Sequence, residues 1–277
     1  MLACEVHFMS KSLSTFKEIL TARMGHKFTA ARSRLTTDAD AEKPKEVILA
    51  ACAAIGDRLK TDGFEFHKSG PKLKRTAGDL TFEITFRSDR HNVAGRRAAV
   101  WIYANIISAK YANWARKHPH PWIRDLALRQ GRYSGMIFGS QIGNLAAQQR
   151  LMEWDFADAS CRMEEIEDAA AAIRETILPY ISLFGAPAKA VDILLHDQGK
   201  LFARELLSYA LIEFGQTQAE EMGRSLLKAI PWIRSKYEPA YRRFRQKGLP
   251  KTWISSGLGR ELAALAIVTG LDLNVAA

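Results

Sequence analysis

The chain of 277 residues is 47% hydrophobic and 25% charged, which is typical of a soluble globular protein with one large domain or two small ones. No apolar run approaches the roughly 20 residues that a helix needs to span a bilayer, so the sequence predicts no membrane span. The formal net charge of +10 favours an acidic partner, such as nucleic acid, an acidic protein or an anionic surface. A solvated basic surface that only aids solubility is the alternative explanation of this charge.

The cysteines and the first residues bear on the cellular compartment. Cys4, Cys52 and Cys161 are odd in number, and none is paired at the spacing of metal ligands. This pattern argues for a reducing cytoplasm and against a disulfide framework or a cysteine-based zinc site. Residues 1–8 contain Glu5 and are too short for a secretory signal, so the sequence predicts none there.

The N-terminal part of the sequence predicts a short helix, a polar arm and a second helix. Thr15 and Glu18 have the spacing of a capping box, and residues 25–43 are polar enough to form a loop or mobile arm. Pro44 suits the first turn of a helix, and Gly63 fits the left-handed residue that ends one. Apolar residues at helical spacing lie between them, so this helix is expected to pack on the sheet that follows.

Residues 63–108 predict an antiparallel meander, because turn-forming residues at 69–71 and 77–79 separate short strands. In the clearest strand, apolar and polar residues alternate and therefore occupy opposite faces of the sheet. The apolar set is Leu80, Phe82, Ile84 and Phe86.

A first basic-aromatic element begins in the last strand of the meander. The alternation there predicts that Trp101 and Tyr103 lie on the face opposite the helix. Basic and aromatic side chains then interleave at Lys110, Tyr111, Trp114, Arg116, Lys117, His118, His120 and Trp122. That pattern suits stacking on bases with phosphate neutralisation, and a second core covered by the helical half of the chain is the alternative. The two histidines predict a surface turn rather than a metal site, because no third ligand follows at a known spacing.

Residues 135–145 are rich in glycine and β-formers and predict one more strand or a hairpin, because they lack the signature of a phosphate-binding loop. Residues 154–158 are expected to form a connection. From Met163 onward the sequence predicts helices, with a kink or an end at Pro179. Further helices are expected over residues 185–195, 201–214, 216–230 and 257–271.

Residues 231–253 form a second basic-aromatic element, the densest basic stretch of the chain. This element contains one acidic residue, Glu238, and the basic residues Arg234, Lys236, Arg242, Arg243, Arg245, Lys247 and Lys251. Tyr237, Tyr241 and Phe244 are spaced by four and three residues, which predicts aromatic side chains inward and charges outward. At least two of the three arginines between 242 and 245 are therefore expected to be exposed. Glu238, four residues before Arg242, is expected to offset that one cation.

These elements predict an α+β fold: an antiparallel β-meander with a packed N-terminal helix, followed by a mostly α-helical C-terminal half. The expected organisation is an N-terminal helix and polar arm over residues 1–43, an α+β sheet domain over residues 44–160 and a helical domain or subdomain over residues 161–277.

Four local features carry a resemblance to a known family: Gly63-Phe64, the Lys/Arg-rich hairpin over residues 68–75, Gly78-Asp79, and the run from Ile177 to Tyr180. On these features, residues 47–195 resemble the bacterial family called domain of unknown function 4304. The resemblance implies a role in toxin immunity or inter-bacterial conflict and brings no catalytic residues with it. The chain departs from the family pattern in its basic charge and in its helical extension after Gly199.

Local motifs give no support for an enzyme. A nuclease core of the Asp…Glu-x-Lys type would need Asp79, Glu83 and a lysine at position 85, where the chain has Thr85. No nucleophile–base pair is indicated either. The sequence therefore assigns no catalytic residue, metal ligand or cofactor.

Two hypotheses for function follow from the charge and the basic-aromatic elements. The first is a non-enzymatic binding protein that docks on an acidic protein partner, including an immunity or bacterial defence-system component. The second is a nucleic-acid-binding protein that uses the basic-aromatic surfaces. The candidate partner-binding residues are Trp101, Tyr103, Lys110, Arg116, Lys117, Lys236, Arg242, Arg243, Arg245 and Lys247.

Overall fold

A computed structural model describes residues 41–131, 134–145, 151–184, 202–250 and 257–273. Over these residues an antiparallel sheet with an N-terminal helix precedes a mostly helical C-terminal half, which confirms the α+β fold. Several expectations lie outside the described residues: the capping box at Thr15, most of the polar arm, the helix over residues 185–195, and Lys251.

Helix α1 spans Pro44–Arg58 and begins at the proline that the sequence marked. It buries an apolar stripe that includes Ile48, Cys52 and Ile55, and burial raises the pKa of the Cys52 thiol to about 12. A 3-10 turn, Lys60–Asp62, follows the helix and ends at Gly63, whose φ of 83° is in the left-handed region that favours glycine.

The sheet is a meander in which each strand pairs antiparallel with the next, in the order β1 to β5. The strands are β1 (Glu65–His67), β2 (Lys72–Ala77), β3 (Leu80–Ser88), β4 (Ala99–Ser108) and β5 (Met136–Gln141). Strand β5 confirms the expected strand in residues 135–145, and the short helix α4 (Ile142–Leu145) directly follows it.

The alternation predicted for β3 is present. Its apolar set is buried on the face toward α1, and Ile84 is 0% exposed. Thr81, Glu83 and Thr85 lie half-buried on the opposite face. Strand β4 pairs with β3 over its full length, so Trp101 and Tyr103 lie on that same outer face, as expected.

The expected connection at residues 154–158 was wrong in its first two residues. Trp154–Asp155 form a sixth strand, β6, which pairs with the first residues of β4. A two-residue strand is too short to produce a sequence periodicity, and it forms because Trp154 packs into the core, where it is 2% exposed.

The remaining helices are α2 (Ala109–Lys117), α3 (Pro121–Gln130), α5 (Arg162–Phe184), α6 (Ala203–Phe214), α7 (Gln216–Ala229), α8 (Pro231–Lys247) and α9 (Leu258–Thr269). The sequence predicts a kink or an end at Pro179, and the structure excludes the end, because α5 continues through this residue to Phe184. Pro179 lies on the exposed side of α5, and the buried Tyr180 and Ile181 hold the following turn against the core.

The buried residues of the sheet and of the C-terminal helices form one contiguous core. Tyr111 is buried in this core, and Trp114 and Trp122 pack against it. These three aromatic residues are therefore covered within the chain, as the alternative explanation expects, but by the single core and not by a second one. Among the described residues, no helix combines the length and the apolar character needed to cross a bilayer.

Candidate functional site

Helix α8 turns Tyr237, Tyr241 and Phe244 inward, as their spacing predicts. Tyr237 is 2% exposed, and Tyr241 and Phe244 pack half-buried against the core. The rings of Tyr237 and Tyr241 stack with their centroids 5.5 Å apart. Because these residues fix which side of α8 is buried, the cations between them are held on the solvent side.

The exposed cations of α8 form a surface that we call the α8 basic face. It consists of Lys236, Arg242, Arg243, Arg245 and Lys247, all of which are exposed. The expectation that at least two of the three arginines are exposed is confirmed. No carboxylate of the described residues pairs with any of the five.

The expected pairing of Glu238 with Arg242 was wrong. Its Oε1 accepts a hydrogen bond from Arg234 Nε at 2.6 Å, so Glu238 offsets Arg234 and not Arg242. Both arginines are four residues from Glu238, and spacing alone does not separate them. The α8 basic face therefore keeps all of its positive charge.

The cations of the α8 basic face point in two directions. Lys236, Arg243 and Lys247 differ by seven and four residues, so they lie within about 40° of one another around the helix axis. Arg242 is about 100° from Arg243, and Arg245 is about 160° from Lys247. Around the helix axis, Lys236, Arg243 and Lys247 therefore form a group that is separate from Arg242 and Arg245.

The first group lines a cleft between α8 and α9, with a volume of about 480 Å³. Arg260, in the first turn of α9, adds a fourth cation to this lining. Trp122, from the first turn of α3, and Phe244 contribute aromatic surface. We call this the α8–α9 cleft.

Gly259 sets how closely α8 and α9 approach. A Cβ atom at this position would lie 2.6 Å from the carbonyl oxygen of Ile233 and 2.7 Å from the Cβ of Lys236. Only glycine fits this contact, so the two helices meet backbone to backbone beside the α8–α9 cleft.

A buried ion network lies next to the cleft. Arg204 of α6 pairs with its neighbour Glu205 and with Glu261 of α9, whose Oε2 is 2.7 Å from Arg204 Nη1. Glu261 also lines the cleft. Burial raises the pKa of Glu261, and this effect together with repulsion from Glu205 outweighs the attraction of Arg204.

The sequence pattern does not reveal this network, because it predicts only a helix over the mostly apolar residues 201–214. The available signal was the adjacent Arg-Glu pair inside that apolar run. A charged residue in a buried helix needs a partner, although the sequence does not show that Glu261 supplies one.

The candidate residues of the first basic-aromatic element are divided between two places. On the outer sheet face, Trp101 Nε1 donates a hydrogen bond to Glu153 Oε2 at 3.0 Å. The Arg87 guanidinium lies over the Tyr103 ring, and the distance from Arg87 Cζ to the ring centroid is 4.4 Å. Both aromatic side chains therefore already have contacts within the chain.

The basic residues of this element lie on α2. Lys110 Nζ pairs with Glu213 Oε2 at 2.9 Å, which leaves it less available to a partner. Arg116 and Lys117, in the last turn of α2, are exposed. Of the three, these two remain the cations available for binding.

His118 and His120 lie in a turn between α2 and α3, as predicted. His120 caps α3, because its Nδ1 accepts a hydrogen bond from the backbone N–H of Trp122 at 3.2 Å. Burial and the nearby His120 lower the pKa of His118, which favours its neutral form. Within the described part of the chain, no three His, Cys, Asp or Glu side chains are grouped to hold a metal ion.

Comparisons of the chain with family models, with curated proteins and with solved structures find no match.

Proposed function

We propose that this chain is a non-enzymatic binding protein that docks on an acidic protein through the α8 basic face. The observation that supports this most strongly is that five exposed cations lie on one helix without a carboxylate partner among the described residues. Unpaired surface cations create a positive potential that attracts an acidic surface and accelerates its association.

Trp232 favours a protein as the partner. This side chain is 58% exposed at the start of α8, and it lies within about 40° of Lys236 and Arg243 around the helix axis. Tryptophan and arginine are the residues most enriched in the energetic centres of protein interfaces. A large apolar side chain beside cations suits a mixed apolar and acidic protein surface.

Nucleic acid is the second candidate, because the exposed cations lie on two sides of α8. A helix in the major groove of duplex DNA has phosphates along both flanks, which such a distribution would match. The immunity or defence role is a narrower form of the first proposal, and it is supported by the resemblance of residues 47–195. A cytoplasmic location is proposed with it, on the cysteine usage.

The double variant Arg242→Ala/Arg243→Ala tests which class of partner is bound. With an acidic protein partner, represented by a polyglutamate peptide, the variant should associate more slowly at low salt and like the wild type at high salt. If the true partner is a DNA duplex, the variant should instead show a weaker salt dependence. The slope of log affinity against log salt concentration should become shallower by about one unit for each phosphate that is no longer neutralised. Stopped-flow fluorescence and equilibrium titration give the two quantities.

A matched control for this test is Lys45→Ala/Lys60→Ala, which removes the same charge from exposed positions on α1 and the turn after it. Copurified nucleic acid, seen as a raised 260/280 nm absorbance ratio that falls after a high-salt wash, would favour the second candidate. If the α8 variant and the control bind both probes like the wild type, the α8 basic face is only a solvated helix surface.

A further inference from the structure

We propose that the α8–α9 cleft binds a small organic phosphate that carries a planar ring, in the size class of a nucleoside diphosphate. This goes beyond docking on a protein partner. It concerns a concave site with its own lining, although it shares Lys236, Arg243 and Lys247 with the α8 basic face.

The volume of the cleft fits a small molecule. At about 480 Å³ it lies in the range of roughly 300–1,000 Å³ that is usual for ligand sites. The close contact at Gly259 fixes the spacing of α8 and α9, so the walls that these two helices provide are formed without a ligand. A preformed site spends little binding free energy on ordering its walls.

The charge of the lining calls for a ligand with several negative charges. Four cations face the cleft, from α8 and α9, and none of them pairs with a carboxylate of the described residues. Among the described residues that line the cleft, Glu261 is the one acid, and it is already engaged by Arg204 at 2.7 Å. Two phosphate groups carry a charge on the order of −3 at neutral pH, which complements this lining better than a single carboxylate does.

Arginines on both helices favour phosphate as the anion. Arg243 on α8 and Arg260 on α9 each present a planar fork of N–H donors, which matches two phosphate oxygens at once. Arg260 is also in the first turn of the 12-residue helix α9, where the helix dipole adds to the attraction for an anion.

The rest of the lining favours a ring on the ligand. Trp122 and Phe244 are half-buried aromatic residues, and Pro239, Leu249 and Ala264 add apolar surface around them. An aromatic side chain in a cationic cleft can stack on a planar ring while the cations hold the phosphates. Inorganic phosphate alone would leave this apolar wall unused.

Calorimetric titration of the full chain with adenosine diphosphate, adenosine and pyrophosphate tests the proposal. Adenosine diphosphate should bind more tightly than either fragment. Arg260→Ala should weaken adenosine diphosphate binding about tenfold or more, because it removes one charged hydrogen-bonding group. Trp122→Leu should bring the affinity for adenosine diphosphate down to that for pyrophosphate and leave pyrophosphate binding unchanged.

The matched control is Arg242→Ala/Arg245→Ala, on the sides of α8 that do not line the cleft. This variant should bind adenosine diphosphate like the wild type and associate more slowly with polyglutamate. Arg260→Ala should bind adenosine diphosphate more weakly and associate with polyglutamate like the wild type. Thermal melting should show that the exposed Arg260 is dispensable for folding. The proposal is overturned if adenosine diphosphate binds no more tightly than adenosine or pyrophosphate, or if Arg260→Ala binds it like the wild type. Either result leaves the docking function intact if polyglutamate still binds.

Discussion

Replacing Arg204 with alanine is expected to lower the free energy of unfolding by about 3–5 kcal/mol. The Arg204 side chain is 9% exposed, and it is held between Glu205, at 7% exposure, and Glu261. Its loss leaves the buried Glu205 and the mostly buried Glu261 without their cation, and a buried charge that lacks a partner is strongly destabilising. Urea denaturation monitored by circular dichroism measures the change.

Two further variants separate burial from charge. Arg234→Ala breaks an exposed pair with Glu238, and this should cost about 0.3–0.5 kcal/mol. The triple variant Arg204→Met/Glu205→Met/Glu261→Leu removes all three charges together and should restore much of the stability that Arg204→Ala removes. If Arg204→Ala costs no more than Arg234→Ala, the ion network does not stabilise the fold in the way its burial indicates.

Truncation of Phe82 or Ile84 to alanine is expected to cost on the order of 2–5 kcal/mol each. Phe82 and Ile84 are 3% and 0% exposed in β3, which pairs with strands on both sides. Each truncation removes apolar packing and leaves a cavity that the paired backbone of the sheet cannot close. The same denaturation experiment gives the values.

Thr85, next to Ile84 on the opposite face, provides the matched control. Its Oγ1 is buried and has no hydrogen-bond partner among the described residues. Thr85→Val keeps the shape of the side chain and breaks no hydrogen bond, so it should change the stability little or raise it slightly. Equal and small losses of stability at all three positions would show that the phase of β3 is wrong.

The parts of the fold that the sequence predicted are those with a local cause. Strand β3 alternates because one of its faces is buried, and the aromatic spacing of α8 fixes which side of that helix faces the core. Gly63 and Pro44 mark ends of elements through their own backbone preferences. These signals need no knowledge of the rest of the chain.

The features that the sequence did not predict depend on residues distant in the chain. Strand β6 exists because Trp154 is buried beside β4, and Arg204 is tolerated because Glu261 lies opposite it. The α8–α9 cleft combines Trp122 with residues more than a hundred positions later. Local periodicity does not report contacts of this kind. It also cannot choose between Arg234 and Arg242, which are both four residues from Glu238, and the structure pairs Glu238 with Arg234.

The most direct test of the proposed function compares two charge-reversal variants with identical net charge. One is Arg242→Glu/Arg243→Glu on α8. The other is Lys45→Glu/Lys60→Glu, at the exposed positions on α1 and the turn after it. Titration of each with a fluorescent polyglutamate peptide at low and at physiological salt isolates the contribution of the α8 basic face from that of the total charge. Docking through α8 predicts that the first variant loses binding and that the second retains it. Equal losses of affinity in both variants would show that only the net charge of the chain matters, which would contradict a docking site on α8.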